Sequence, residues 1–214
     1  MWVSKDSETR KKEFLETAIA LFIKKGYDVT SINDILKRIN ITKGSFYYHF
    51  QSKEDLVNQV VELFLADIYS ITKTITSSSL GALEKLEAVY LEVANYRREN
   101  KKIYRDLYEL LKKDGNHYIH SLYMQRVNVV YSGIIGDILR QGVEENVFEI
   151  TDVEKTTEVF LLLMNLFKSK LSTYYYAASD VNQKDVIDIK QFYQQMLEKI
   201  LGAEEGTLSF YGRM

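Results

Sequence analysis

Apolar residues recur at three- and four-residue spacing along most of the chain, which predicts helices from end to end. Phe14, Ala18, Leu21 and Phe22 share one face of a helix predicted from Ser7 to Lys25, with Gly26 as its stop. Between Thr30 and Leu56 the pattern breaks into shorter pieces. Ile32, Ile35, Leu36 and Ile39 mark a first short helix, and Ser31 and Asp34 have the spacing of a capping box in which Asp takes the usual Glu position. Asn40, which tolerates a left-handed conformation, turns the chain, and Thr42 is placed to cap a second short helix carrying Lys43 to Tyr48. Two short helices joined so tightly form a helix-turn-helix.

Beyond this unit the periodicity predicts long helices with few breaks: Ser52 to about Thr76, Ala82 to about Asn100, Lys101 to Lys113, about Asn116 to Glu145, Asp152 to about Ala178, and Lys184 to Leu201. Thr76 to Ser79 with Gly81 supplies a loop, Asp114 and Gly115 supply another, and the residues after Leu201 are expected to fray. The expected fold class is all-α, with about nine helices. No proline occurs in 214 residues, so long helices can run uninterrupted, and a loop-rich sandwich or barrel is disfavoured.

The outward face of the second short helix carries the chemistry. Phe46 and Phe50 are four apart and are expected to face inward onto Ile32, Ile35 and Ile39, leaving Lys43, Ser45, Tyr47, Tyr48 and His49 outside. Each of these can donate a hydrogen bond to a phosphate or base edge, Gly44 allows close backbone approach, and a helix N-terminus favours an anion. Ser52 and Asp55 cap the next helix, with Lys53 in its first turn. A lysine there opposes the helix dipole unless something negative lies nearby, and a DNA phosphate would supply that charge.

The run from Gly26 to Leu56, GYDVTSINDILKRINITKGSFYYHFQSKEDL, resembles the DNA-binding domain of TetR-family transcriptional regulators, above all in GSFYYHFQSKEDL. The resemblance covers about the first fifty-five residues. It implies that Thr42, Lys43, Gly44, Ser45, Tyr47, Tyr48 and His49 lie on or before the recognition helix, and that Thr30, Ser31 and Lys53 grip phosphates. Two positions depart from the family's pattern. Leu36 stands where a small Ala is usual, which is expected to shift the crossing of the two helices, and Asn40 stands where Gly is frequent. The implied organisation is a three-helix DNA-binding domain over residues 1–53, a helical effector-binding and dimerisation domain over 54–201, and a tail over 202–214.

Charge changes the picture more than composition does. The chain as a whole is at −2, but residues 1–53 carry ten Lys and Arg against six Asp and Glu, while the remainder carries eighteen against twenty-four. A basic module at +4 on an acidic body at −6 suits phosphate-directed binding. Lys5, Arg10, Lys11 and Lys12 at the entry of the first helix fit either further phosphate contacts or a solvated helix end. With no Cys, three His and no Gly-rich phosphate loop, the sequence offers no recognisable catalytic constellation, and neither an enzyme nor a cofactor is expected. His117 and His120 lack a third metal ligand, so no metal site is expected. The opening MWVSKDSETRKK has no apolar core, and the longest apolar run, Val159 to Phe167, is too short for a bilayer, so the expected location is the cytoplasm, away from membranes.

The segment from Val159 to Leu171 is apolar on more than one side. Either it completes an intramolecular bundle, or with the last helix it forms a four-helix bundle between two copies. The resemblance implies the second, and Phe160, Leu163, Phe167, Ile189, Phe192, Tyr193 and Met196 are the interface candidates. Tyr96, Tyr104, Tyr108, Tyr123, Tyr131, Phe167 and Tyr174 fit either ordinary packing or the wall of an effector pocket. Arg97, Arg98, Lys101 and Lys102 read as a solvated helix end or as a partner for an anionic effector. The expected function is a sequence-specific regulator, a repressor released from a near-palindromic double-stranded operator by an unknown small molecule. The alternative is a helix-turn-helix protein controlled by a protein partner or by assembly.

Overall fold

The computed structural model describes residues 7–172, 174 and 182–208, and among them every regular element is a helix. The helices are α1 (Ser7–Lys25), α2 (Ile32–Ile39), α3 (Lys43–His49), α4 (Lys53–Thr76), α5 (Ala82–Glu99), α6 (Lys101–Lys112), α7 (His117–Glu144), α8 (Val153–Ser172) and α9 (Gln183–Leu201). The expected boundaries hold to within a residue or so wherever a cap or a glycine fixes them. The expected continuation of α8 to Ala178 falls, apart from Tyr174, outside the described residues.

By compactness the chain divides into two units. One comprises Met1–Asp67 with Lys102–Arg126, the other Ile68–Lys101 with Val127–Met214. This grouping is discontinuous in sequence and follows packing, unlike the functional division at residues 53 and 201 expected above. It gathers α6 and the start of α7 with the helix-turn-helix.

In the first unit the core is aromatic. Phe14, Phe22, Phe46 and Phe50 are fully buried, and Phe14 meets Phe46 and Phe50 edge-on at 5.7 Å each. Ile35 and Leu36 of α2 are buried, while Ile32 and Ile39 are half-buried, so the inward face of α3 rests on α1 as well as on α2. Gly26 ends α1 at φ +93°, where a side chain would be strained, and a Cβ there would stand 2.9 Å from the Asp114 carbonyl oxygen. The Gly26–Asp28 turn therefore lies directly against the loop between α6 and α7. Asp28 N–H donates to the Gly115 carbonyl at 3.2 Å. Asn116, fully buried, accepts from Tyr27 N–H at 2.5 Å and donates to the Phe22 and Leu110 carbonyls at 3.2 and 2.8 Å.

In the second unit the start of α5 is fastened to the end of α7. Ala82 N–H donates to Glu145 Oε2 at 2.8 Å, and Lys85 Nζ donates to Gln141 Oε1 at 2.9 Å. Gly142 has no room for a side chain, because a Cβ would fall 2.0 Å from the Phe148 ring. Helices α8 and α9 pack on each other, and Phe167 meets Tyr193 across them at 4.9 Å. The tail corrects an expectation. Rather than fraying after Leu201, the chain turns at Gly202 with φ +60° and folds back. Leu208 is fully buried, and its N–H donates to the buried carboxylate of Glu198 at 2.9 Å. That contact satisfies a charge which burial would otherwise penalise. Residues 209–214 of the expected tail lie outside the described residues.

Candidate nucleic-acid interface

The two short helices are set by their caps. Ser31 Oγ accepts from Asp34 N–H at 3.1 Å while Asp34 Oδ2 accepts from Ser31 N–H at 2.8 Å, the reciprocal box expected from the spacing. Lys25 Nζ adds an ion pair to the same carboxylate at 3.0 Å, and these donors hold the Asp34 carboxyl below the usual carboxylate range. Asn40 is left-handed at φ 53°, as a sharp exit from α2 requires. Thr42 occupies the N-cap of α3 and is exposed, but its side chain makes no capping bond.

On α3 the inside and outside separate as expected. Phe46 and Phe50 are buried, Ser45 is half-buried, and Lys43, Gly44, Tyr47 and Tyr48 are exposed, Tyr48 at 77 %. A Cβ at Gly44 would meet only Thr42 Oγ1, at 4.0 Å, so the surface above it is open. His49 is less available than its position suggests. Its ring lies 5.9 Å from Phe14 and 4.8 Å from Tyr48, and burial together with Lys11 and Arg10 pushes its imidazole down. It presents a neutral ring edge rather than a cation at neutral pH.

Lys53 is held by Tyr27. Its ammonium donates to the Tyr27 carbonyl at 2.5 Å and lies 3.8 Å from the centre of the same ring. Burial draws its pKa down, with Asp28 and Glu54 pulling the other way. The charge opposite the α4 dipole is thus offset locally by a carbonyl and a π face. Burial, and the neighbouring Glu54 carboxylate, push the Tyr27 phenol up to about 12. Asp28–Asn33, Lys43, Tyr47 and Lys53 line an open cleft of about 440 Å³ between the start of α2, α3 and the start of α4. Six of the ten expected DNA contacts are exposed: Ser31, Thr42, Lys43, Gly44, Tyr47 and Tyr48. Ser45, His49 and Lys53 are half-covered. Thr30 is an exception among them. It is 1 % exposed and its hydroxyl donates to the Gly26 carbonyl at 2.6 Å, so it fastens the turn from inside. Of the cations before α1's core, Arg10 pairs with Glu13 at 2.7 Å, Lys12 lies 3.9 Å from Glu16, and Lys5 lies outside the described residues.

The remaining candidate groups divide differently. Tyr104, Tyr108 and Tyr123 belong to the first unit, whereas Tyr96, Tyr131, Phe167 and Tyr174 belong to the second. Of the interface candidates, Phe160 and Phe167 are buried inside the chain's own core, and Leu163, Ile189, Tyr193 and Met196 are half-buried. Phe192, the seventh candidate, is 59 % exposed, and on the same two helices Leu162 at 60 %, Leu166 at 59 %, Val159 and Ile187 are exposed as well. The helical period points to this second stripe but cannot say which stripe faces inward. Among the described residues no group of three metal-binding side chains occurs, and no helix is long and apolar enough to cross a membrane.

Residues 14–60 match the sequence model of the bacterial regulatory proteins of the tetR family. The biofilm operon icaADBC HTH-type negative transcriptional regulator IcaR of Staphylococcus aureus (strain Newman) is 32 % identical over 180 residues, covering 79 % of this chain and 84 % of IcaR. The HTH-type transcriptional repressor KstR2 of Mycobacterium tuberculosis (strain ATCC 25618 / H37Rv) is 29 % identical over 143 residues, covering 65 % of this chain and 70 % of KstR2. Among solved structures, SmeT, the repressor of the Stenotrophomonas maltophilia multidrug efflux pump SmeDEF, superposes with a TM-score of 0.65 at 14 % identity over 92 % of each chain. The ketosteroid regulator KstR2 of Mycobacterium tuberculosis superposes at 0.53 and 25 % identity, over 95 % of this chain and 98 % of KstR2. The chain belongs to the tetR family of bacterial regulatory proteins. It is a DNA-binding transcriptional regulator and not an enzyme.

Proposed function

We propose that the chain is a repressor that reads a near-palindromic operator as a homodimer and leaves it when a small molecule binds among the C-terminal helices. The observation that carries this reading is the exposed face of α3, where Lys43, Tyr47 and Tyr48 project from a helix pinned by Phe46 and Phe50. IcaR's description as a negative regulator supports repression over activation. In this reading residues 1–53 bind DNA and residues 54–201 bind effector and partner. Ser31, Tyr47 and Lys53 contact phosphates, Lys43, Ser45 and Tyr48 read bases, and Thr30 acts only by holding the turn.

The dimer reading is supported by Val159, Leu162 and Leu166, which share one exposed stripe of α8, and by exposed Phe192 of α9. Two copies joined there would present their recognition helices about one DNA turn, roughly 34 Å, apart. Selection of bound DNA from a random pool is expected to return inverted half-sites at that spacing. A single unrepeated half-site would reject the symmetric reading. Leu166→Glu is expected to yield a monomer in sedimentation at micromolar concentration, with operator affinity lowered at least tenfold and helix content unchanged. If Leu166→Glu remains a dimer, control by another surface, or by a protein partner seated on this one, becomes the better reading.

Lys53→Ala is expected to weaken binding to every DNA sequence alike and to reduce the slope of log affinity against log salt by about one unit. Because Lys53 also holds the Tyr27 carbonyl, Lys53→Arg should restore most of the slope. An unchanged slope in Lys53→Ala would show that this ammonium stays on Tyr27 in the complex.

A further inference from the structure

Tyr27 lies in the turn between α1 and α2, so no helix of its own fixes its side chain, and its placement depends on what surrounds it. Within the first unit the start of α7 holds it twice. Asn116 accepts from the Tyr27 backbone N–H at 2.5 Å, and two residues further on the Tyr118 ring stacks on the Tyr27 ring, 5.4 Å between centres and 28° between planes. Phe22 meets the same ring edge-on at 5.6 Å, and the phenol donates to Glu54 at 3.3 Å. Phe22 is fully buried, whereas Tyr118 is 42 % exposed, so filling the core is a poor account of the second ring.

The Tyr27 ring and carbonyl in turn set Lys53. Its ammonium donates to the carbonyl at 2.5 Å and lies 3.8 Å from the ring centre, and the residue lines the open cleft with Ser31, Lys43 and Tyr47. An ammonium has three N–H donors, so one on the carbonyl leaves two for another acceptor. Without such a hold the flexible four-carbon stem spreads the charge over many positions, and that freedom is lost on binding.

We propose that Tyr118 is a positioning residue of the DNA interface: by stacking on Tyr27 it fixes the ring and carbonyl that aim the Lys53 ammonium at a backbone phosphate. The inference rests on the reading of Lys53 as a phosphate contact, and it extends the interface to a residue of α7, outside the helix-turn-helix. Tyr118 acts through Tyr27 and needs no contact with DNA itself.

The test uses the full chain with a duplex recovered from the random pool and an unrelated duplex. Tyr118→Ala is expected to weaken binding to both about three- to tenfold and to flatten the salt slope toward that of Lys53→Ala. Tyr118→Phe, which keeps the ring, should stay within about twofold of the parent with the parental slope. Added to Lys53→Ala, Tyr118→Ala should change affinity by less than about twofold, because the group it positions is gone. A ring that only supports the fold would weaken binding as much in that background as in the parent.

Nuclear magnetic resonance of the free protein gives a second readout. The Lys53 ε-methylene protons, held near the Tyr27 ring, should resonate upfield in the parent and in Tyr118→Phe, and return to the ordinary lysine position in Tyr118→Ala. Should Tyr118→Ala fail to fold, Tyr118→Leu replaces it in both measurements, since it keeps apolar volume and loses the stacked ring. Additive losses in the double variant, or a Lys53 signal that stays upfield without the ring, overturn the proposal while the phosphate reading stands. If Lys53→Ala itself keeps the parental slope, the phosphate reading falls and the proposal falls with it.

Discussion

Phe14→Ala is expected to destabilise the N-terminal unit by about 3–5 kcal/mol and to abolish operator binding, although Phe14 lies on α1 and is fully buried. The ring is the common neighbour of the recognition helix's inner face. It meets Phe46 and Phe50 edge-on at 5.7 Å and approaches His49 at 5.9 Å, so truncation leaves a cavity beneath every turn of α3. Edge-to-face geometry adds about 0.5–1.5 kcal/mol per pair beyond burial. A seven-residue helix has little stability of its own, so the loss cannot be absorbed locally. Against a typical total of about 5–15 kcal/mol it removes a large share. Denaturant unfolding followed by gel shift checks both parts. Phe14→Leu, which keeps most of the volume, should retain measurable binding, and a Phe14→Ala protein with parental affinity would remove α1 from the support of the interface.

Asn116→Leu is the second large effect, expected to cost about 3–5 kcal/mol and to loosen the interface from behind. Its amide serves three backbone groups at once: Tyr27 N–H, the Phe22 carbonyl and the Leu110 carbonyl. Leucine matches the shape but strands Tyr27 N–H and the Leu110 carbonyl, at about 1–3 kcal/mol each, while the Phe22 carbonyl keeps Gly26 N–H at 2.9 Å. The consequence reaches the interface through Tyr27, whose carbonyl and ring hold Lys53. Amide exchange at Tyr27 should accelerate strongly, and operator affinity should fall with a salt slope altered as in Lys53→Ala. Unchanged protection of the Tyr27 amide would show that Asp28 N–H to Gly115 holds the turn alone.

The two residues differ in how visible they are before folding. Phe14 is legible from periodicity, because it repeats with Ala18 and Phe22 on one helical face. Asn116 is not legible: its first two partners are 89 and 94 positions away, and an asparagine before a helix reads as nothing more than a cap. The same contrast runs through the candidate site. Ser31, Asp34, Asn40 and Gly26 could be placed in advance because caps and left-handed turns are governed by residues within four positions of each other. That Thr30 faces inward, that Lys53 rests on Tyr27 and that His49 is pressed onto Phe14 depend on packing between elements.

By itself, then, the sequence determined the helices and their ends, the helix-turn-helix, the inner and outer faces of α3, and the split of charge between a basic beginning and an acidic remainder. All of these are local, set by a period of 3.6 residues, by caps and by composition. Tertiary structure alone decided which stripe of α8 is core and which is exposed, since a helix apolar on two sides carries no mark of its partner. It also decided that α6 and the start of α7 fold with the first unit, that the tail returns to cover Glu198, and that Lys168 lies over the Tyr131 ring. Those outcomes turn on which distant surfaces exclude water together, and on the electrostatic cost of what they enclose.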